Sequence, residues 1–152
     1  MTGHHRPDGR LAAKAPGYRQ FMPALMPSRN GSAVFFEQHV RVEGAERFVA
    51  ETRAANPDIH PTVFHVLLWA LAHTFDRHPN INRFVAGGRL YERDGIWISF
   101  TAKTELTEAG TLLEVKHRFD PTQSFADLAR EIEAAVTRAR GGATGPADRE
   151  LE

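Results

Sequence analysis

The chain has 152 residues, of which 41% are hydrophobic and 25% charged, a composition that supports a buried core and excludes an intrinsically unfolded polymer. Lys plus Arg and Asp plus Glu both total 19, so no net field gathers nucleic acid or anionic lipid, and neither is expected as a partner. No cysteine is present, which excludes disulfides, a thiolate nucleophile and a thiolate metal site.

Residues 1–17 mix Gly, Pro, His, Arg and Lys without a period and are expected to form a disordered leader; residues 141–152, rich in Gly and Ala, are expected to form a disordered tail. The core domain is expected over residues 18–140. Neither a signal-peptide core nor an apolar run of bilayer length occurs, so a soluble, cytoplasmic protein is expected.

"SAVFFEQHVRV" alternates, with Val34, Phe36, Val40 and Val42 on one face and Glu37, His39 and Arg41 on the other, and predicts a half-buried strand. "GAERFVAETRAAN" places Phe48, Val49 and Thr52 at helical spacing, and Asn56-Pro57 ends that helix. A second helix opens at Pro61. Val63, Val66, Leu67, Ala70, Leu71 and Thr74 form its expected stripe, with Phe64, Leu68 and Trp69 beside it, a girth that implies cover on more than one side.

Two turn signals follow, Gly87-Gly88 and Asp94-Gly95, and together they predict a three-stranded meander through "RFVA", "RLYER" and "IWISFTAKTE". In the last of these, Ile96, Ile98, Phe100 and Ala102 oppose Trp97, Ser99, Thr101 and Lys103. "TLLEVKHRF" predicts a further strand with Leu113, Val115, His117 and Phe119 on one face. The final helix has Ser124 as its cap, Asp127 in the first turn, and a stripe of Phe125, Leu128, Ala129, Ile132 and Val136. Hairpin turns, alternation and helices of this kind imply an α+β two-layer sandwich, mainly antiparallel, with helices on one face.

Several polar residues invite a chemical reading. His4, Asp8 and Gly9 spell His-x-x-x-Asp-Gly, but in basic, Gly-containing sequence with no apolar strand before it, so a solvated segment is the expected state. His65 in the apolar helix reads as a core histidine with a satisfied nitrogen. Asn80 and Asn82 read as turn residues, and Arg29 as an exposed loop residue. His39 and His117 have no evident third ligand, so no metal is expected.

"MPALMPSRNGSAVFFEQHV" and "HPTVFHVLLWALAHTFDRHPNINRFVAGGRLYERDGIWISFTAKTEL" together resemble the catalytic domain of the acyltransferase components of 2-oxo acid dehydrogenase complexes, and chloramphenicol acetyltransferase, which shares that fold. The most specific part is "RHPNINRFVAGGRLYERDGIWISF". The resemblance implies acyl transfer between coenzyme A and a thiol, hydroxyl or amine by direct attack. In such enzymes a histidine takes the attacking group's proton and a Ser or Thr hydroxyl supports the oxyanion.

The resemblance covers only the N-terminal half of that domain. Its His-x-x-x-Asp-Gly segment lies near the C-terminus, so His4 and Asp8 match its spacing and not its place. The expected function is therefore a coenzyme A-dependent acyltransferase-like domain that lacks its own catalytic histidine, inactive alone and completed by a complementary C-terminal half chain or in a homo-oligomer, a trimer by resemblance. Arg29, Asn82, Phe84, Ser99 and Lys103 are its candidate substrate- or cofactor-binding residues. The alternative is a non-catalytic binding or oligomerisation module built on the same fold.

Overall fold

A computed structural model describes residues 6–104 and 112–141. The elements run β1 (Gly9–Leu11), α1 (Gly17–Leu25), α2 (Glu43–Ala55), α3 (Val63–Arg77), β2 (Arg83–Ala86), β3 (Arg89–Arg93), β4 (Ile96–Lys103), β5 (Leu112–Phe119) and α4 (Phe125–Arg140), with single 3-10 turns at Asn30–Ser32 and Pro79–Ile81. Helices and two small antiparallel sheets make this an α+β chain. It divides into two compact units, one of residues 1–40 and 74–96, the other of residues 41–73 and 97–152.

The first unit holds a three-stranded sheet in the order β1-β3-β2. Gly87 and Gly88, at φ 54° and 72°, form the two-residue hairpin turn that the Gly-Gly pair predicts, because both positions need the left-handed region. That turn sets the register Arg83 to Glu92, Phe84 to Tyr91 and Ala86 to Arg89.

On the other edge of β3 lies β1, paired Gly9 to Arg93 and Leu11 to Tyr91 and extended by Ala12 N–H donating to the Leu90 carbonyl at 2.9 Å. Residues 9–15 are therefore not part of a disordered leader. Ala12 and Ala15 are buried, and a Cβ on Gly9 would collide with the Glu92 carbonyl oxygen. A strand of three residues is too short to show a period, and small side chains let it approach β3 closely.

This pairing also corrects the expected meander. With β1 and β2 on its two edges, β3 has no free ladder for β4, and β4 pairs with β5. Gly95 still turns at φ 76°.

The helix α1 has no counterpart among the predicted elements. Pro16, at φ −53°, precedes its first residue, and Tyr18, Phe21, Met22 and Leu25 recur at helical spacing, yet none of its residues is buried. The predicted strand across residues 32–42 does not form. Its backbone leaves Ala33 extended, at φ −72° and ψ 131°, but no described strand pairs with it, and Val34 and Phe36 remain 90% and 85% exposed. Alternation specifies which face a strand buries only if another strand is present to receive its hydrogen bonds.

The second unit is built where α2, α3 and α4 meet. Phe48 of α2 lies 4.9 Å, centroid to centroid, from Phe125 of α4, and Trp69 of α3 lies 5.8 Å from Phe125. This contact sets the rotation of α3: the buried stripe is His65, Leu68 and Ala72, and the expected stripe fails, with Leu67 and Leu71 exposed. Since apolar residues surround most of that helix, periodicity alone leaves its inward face undetermined.

Helix α4 agrees closely with its sequence signal. Ser124 Oγ accepts the Asp127 N–H at 3.2 Å and donates to Asp127 Oδ2 at 2.6 Å, and Phe125, Leu128, Ala129 and Ile132 are buried. Ala135 is buried and Val136 is half-buried. This helix packs on β5, whose Val115 and Phe119 are buried while His117 is half-buried, as the alternation predicts. Each fully buried Leu or Ile side chain here contributes about 1.5–3 kcal/mol relative to exposure.

Candidate functional site

In the second unit, polar groups converge on the connection from α2 to α3. Asn56 closes α2 by donating its backbone N–H to Thr52, because the following proline disfavours further helix. The connection is then tied on both sides. Arg53 Nε and Nη2 donate to the Pro61 carbonyl at 2.8 and 2.6 Å, Glu133 Oε1 accepts the His60 N–H at 2.6 Å, and Asp58 Oδ2 accepts from Arg130 at 3.0 Å.

This connection presents Thr62 to His65. His65 Nδ1 accepts the Thr62 N–H at 3.1 Å and lies 3.0 Å from the Thr62 hydroxyl, so Nε2 carries the proton of the neutral ring, and it meets no partner among the described residues. Burial pushes the His65 pKa below its ordinary value; Glu133 opposes the shift and Arg53 reinforces it. A buried imidazole whose Nδ1 lone pair is already engaged by Thr62 has the surroundings of a core residue.

His117 shows the same depression. Burial is the main cause, opposed by Glu131, whose Oε2 stands 3.3 Å from Nε2 at ion-pair distance but without the alignment of a hydrogen bond. The ring also meets Phe119 edge-on at 4.9 Å.

In the first unit, aromatic and cationic groups share one face of the β1-β3-β2 sheet. Phe84 and Tyr91 stack across β2 and β3 with centroids 5.5 Å apart. Arg93, two residues from Tyr91 along β3, places its guanidinium 4.4 Å from the Phe84 centroid. Arg6 lies 5.4 Å from Phe84 and 5.6 Å from Tyr91, and grips Asp8 with two bonds of 2.8 and 3.0 Å. This bidentate pair holds the Asp8 carboxyl below the usual carboxylate range, with Arg93 adding to the effect. On the other face, Glu92 bridges Arg83 and Arg10 at 2.9 and 3.2 Å.

The candidate residues read from sequence are divided between the units. Arg29, Asn82 and Phe84 belong to the first, Ser99 and Lys103 to the second. Arg29 is exposed at the start of a 3-10 turn. The Asn82 side chain donates to the Gly95 carbonyl at 2.9 Å, and its own carbonyl accepts the Arg93 N–H, so it braces two turns. Phe84 lies within the stack. Ser99 and Lys103 point outward from β4, with the Lys103 carbonyl accepting from Arg140 at 3.0 Å. His4 lies outside the described residues, and Asp8, its partner in the spacing motif, is committed to Arg6. No cluster of three His, Asp or Glu side chains able to hold a metal occurs among the described residues. None of their helices is long and apolar enough to cross a membrane.

Sequence reasoning missed Arg6 and Arg93, because only the strand register brings them to one aromatic pair. The available signal was the period-2 spacing of Tyr91 and Arg93.

No protein-family model matches the sequence, and no curated protein matches it significantly. Solved structures do. The dihydrolipoamide acetyltransferase of Azotobacter vinelandii, studied for the role of a serine, a histidine and an asparagine in its catalytic mechanism, superposes with a TM-score of 0.58 at 26% identity, covering 70% of this chain and 44% of that one. The cubic core of the pyruvate dehydrogenase multienzyme complex superposes with a TM-score of 0.63 at 23% identity, covering 93% and 56% respectively. The chain shares the fold of the 2-oxo acid dehydrogenase acyltransferase catalytic domain. It spans about half the length of the acyltransferase structures it matches.

Proposed function

We propose that this chain is part of a coenzyme A-dependent acyltransferase domain, a portion of the chloramphenicol acetyltransferase-like two-layer sandwich that gains its base and its oxyanion-supporting hydroxyl from a complementary segment or second chain. The observation that carries this reading is the run from Val34 to Val42. It has the alternation of a half-buried strand, exposes Val34, Phe35, Phe36 and Val40 by 70–97%, and pairs with no described strand. An unpaired apolar edge of this kind is stabilised by an added strand, which supplies its backbone hydrogen bonds and covers its side chains. In the completed domain a histidine removes the acceptor's proton as it attacks the thioester carbonyl, coenzyme A leaves as the thiol, and a hydroxyl stabilises the tetrahedral oxyanion. Arg29, Asn82, Phe84, Ser99 and Lys103 would lie on this chain's share of the substrate channel, in a cytoplasmic homo-oligomer, a trimer by resemblance.

The second reading, a non-catalytic binding or oligomerisation module, is favoured by the bracing roles of Asn82 and Phe84, whose side chains are spent on Gly95 and on the aromatic stack.

Native mass measurement followed by acetyl transfer from acetyl-coenzyme A to dihydrolipoamide separates the two. The chain alone is expected to give no turnover, and a chain containing strands that end in His-x-x-x-Asp-Gly is expected to form a complex with it and restore turnover. Assembly without turnover or coenzyme A binding supports the module. Turnover by the chain alone that disappears in His4→Ala overturns both readings.

A further inference from the structure

Of the sheet face that carries Arg6, Asp8, Phe84, Tyr91 and Arg93, only Phe84 enters the acyl-transfer reading, and the charged groups around it form an organised cluster in the first unit. Arg93 is held by its stack on Phe84, and among the described residues its guanidinium makes no hydrogen bond or ion pair. Phe84 is fixed in turn by Tyr91, 5% exposed, and by the register of β2 on β3. A planar donor fork is thus preorganised before any ligand arrives, which removes much of the side-chain entropy that an arginine loses on binding.

Arg6 completes the geometry. Its Nε and Nη2 are spent on the Asp8 carboxylate, which leaves Nη1 without a hydrogen bond among the described residues, and its guanidinium carbon stands within 5.6 Å of both ring centroids. Two arginines against one aspartate leave this face one positive charge in excess. Asp8 also limits what can bind: a ligand must offer enough acceptor oxygens to engage Arg93 and Arg6 together and overcome repulsion from that carboxylate.

We propose that this face binds a phosphate group, Arg93 gripping two of its oxygens with its fork and Arg6 Nη1 donating to a third. A carboxylate has two oxygens and satisfies the Arg93 fork alone, so a tetrahedral oxyanion matches the donor set better. Gly9 is part of the construction. A Cβ there would approach Phe84 Cε1 to 3.0 Å as well as striking the Glu92 carbonyl, so glycine lets β1 bring Arg6 and Asp8 onto the aromatic pair. The site is independent of whether the chain transfers acyl groups.

Titration of the full chain with inorganic phosphate at low ionic strength, followed by calorimetry and by two-dimensional NMR, tests it, with acetate and chloride as comparison anions. Saturable phosphate binding is expected, with amide shifts centred on residues 6–10 and 91–94. Arg93→Gln should weaken it about tenfold or more, the loss of one charge-assisted bidentate grip. Arg93→Lys, which keeps the charge and loses the fork, should weaken it less. Arg10→Gln, on the opposite face, should leave it unchanged. Equal binding of acetate and phosphate, shifts scattered over the whole surface, or Arg93→Gln and Arg6→Gln proteins that bind phosphate as the parent does, would each overturn the proposal.

Discussion

Glu133 Oε1, on α4, accepts the backbone N–H of His60 at 2.6 Å across 73 residues of sequence, and so fixes the connection that delivers Thr62 to His65. A carboxylate holding a main-chain donor places a constraint that neither helix contains by itself. Glu133→Gln keeps the acceptor oxygen without the charge and should cost less than Glu133→Ala, which leaves the exposed His60 N–H to water, at about 0.5–1.5 kcal/mol in urea unfolding.

His65 makes stability depend on pH in a definite direction. Its pKa in the folded chain is depressed below the ordinary 6.5 by burial, with Glu133 and Arg53 the charges that face it. The unfolded chain therefore binds the proton more readily. Stability from this group is complete above about pH 6.5 and declines as pH falls from there through the folded-state pKa. His117 acts in the same direction. Urea midpoints should fall between pH 7.5 and pH 5.5, and His65→Phe should flatten part of that slope; an unchanged slope would refute the contribution of His65.

Removing the α4 cap tests the local signal most directly. Ser124→Ala leaves the Asp127 N–H without its side-chain acceptor and should destabilise the chain by about 1 kcal/mol, while Ser124→Asn or Ser124→Asp should restore most of the loss. Leu128→Ala, at a side chain with no exposure, should cost more, about 2–5 kcal/mol.

The seating of β1 is checked by Gly9→Ala. The added methyl meets the Glu92 carbonyl and Phe84, so β1 should lift from β3. Trypsin should then cut after Arg10 markedly faster than in the parent chain, whereas a leader lacking structure would be cut at the same rate in both.

Val34→Asp with Phe36→Asp probes the unpaired segment. Both side chains are almost fully exposed, so the stability of the isolated chain should change by no more than about 0.5 kcal/mol, while any assembly with a complementary chain or a second copy should be lost on gel filtration and native mass measurement. Unaltered assembly would remove this segment from the interface.

Where an element carries its own period and its own cap, the sequence by itself determined the outcome: α4 follows from Ser124 and the Phe125-Leu128-Ile132 stripe, the β2–β3 hairpin from two glycines that accept positive φ, and the inward faces of β4 and β5 from strict alternation. Tertiary structure decided what local pattern leaves open. An α3 apolar on most sides turns whichever face the Phe48 and Phe125 rings receive, and the three residues of β1 are a strand only because β3 offers them a ladder. The same reasoning separates the candidate residues. Asn82 and His65 carry local turn and core signals that a single segment displays, but the convergence of Arg6 and Arg93 on Phe84 depends on register between strands far apart in sequence, and hydrogen-bond register is a property of paired chains that no single segment encodes.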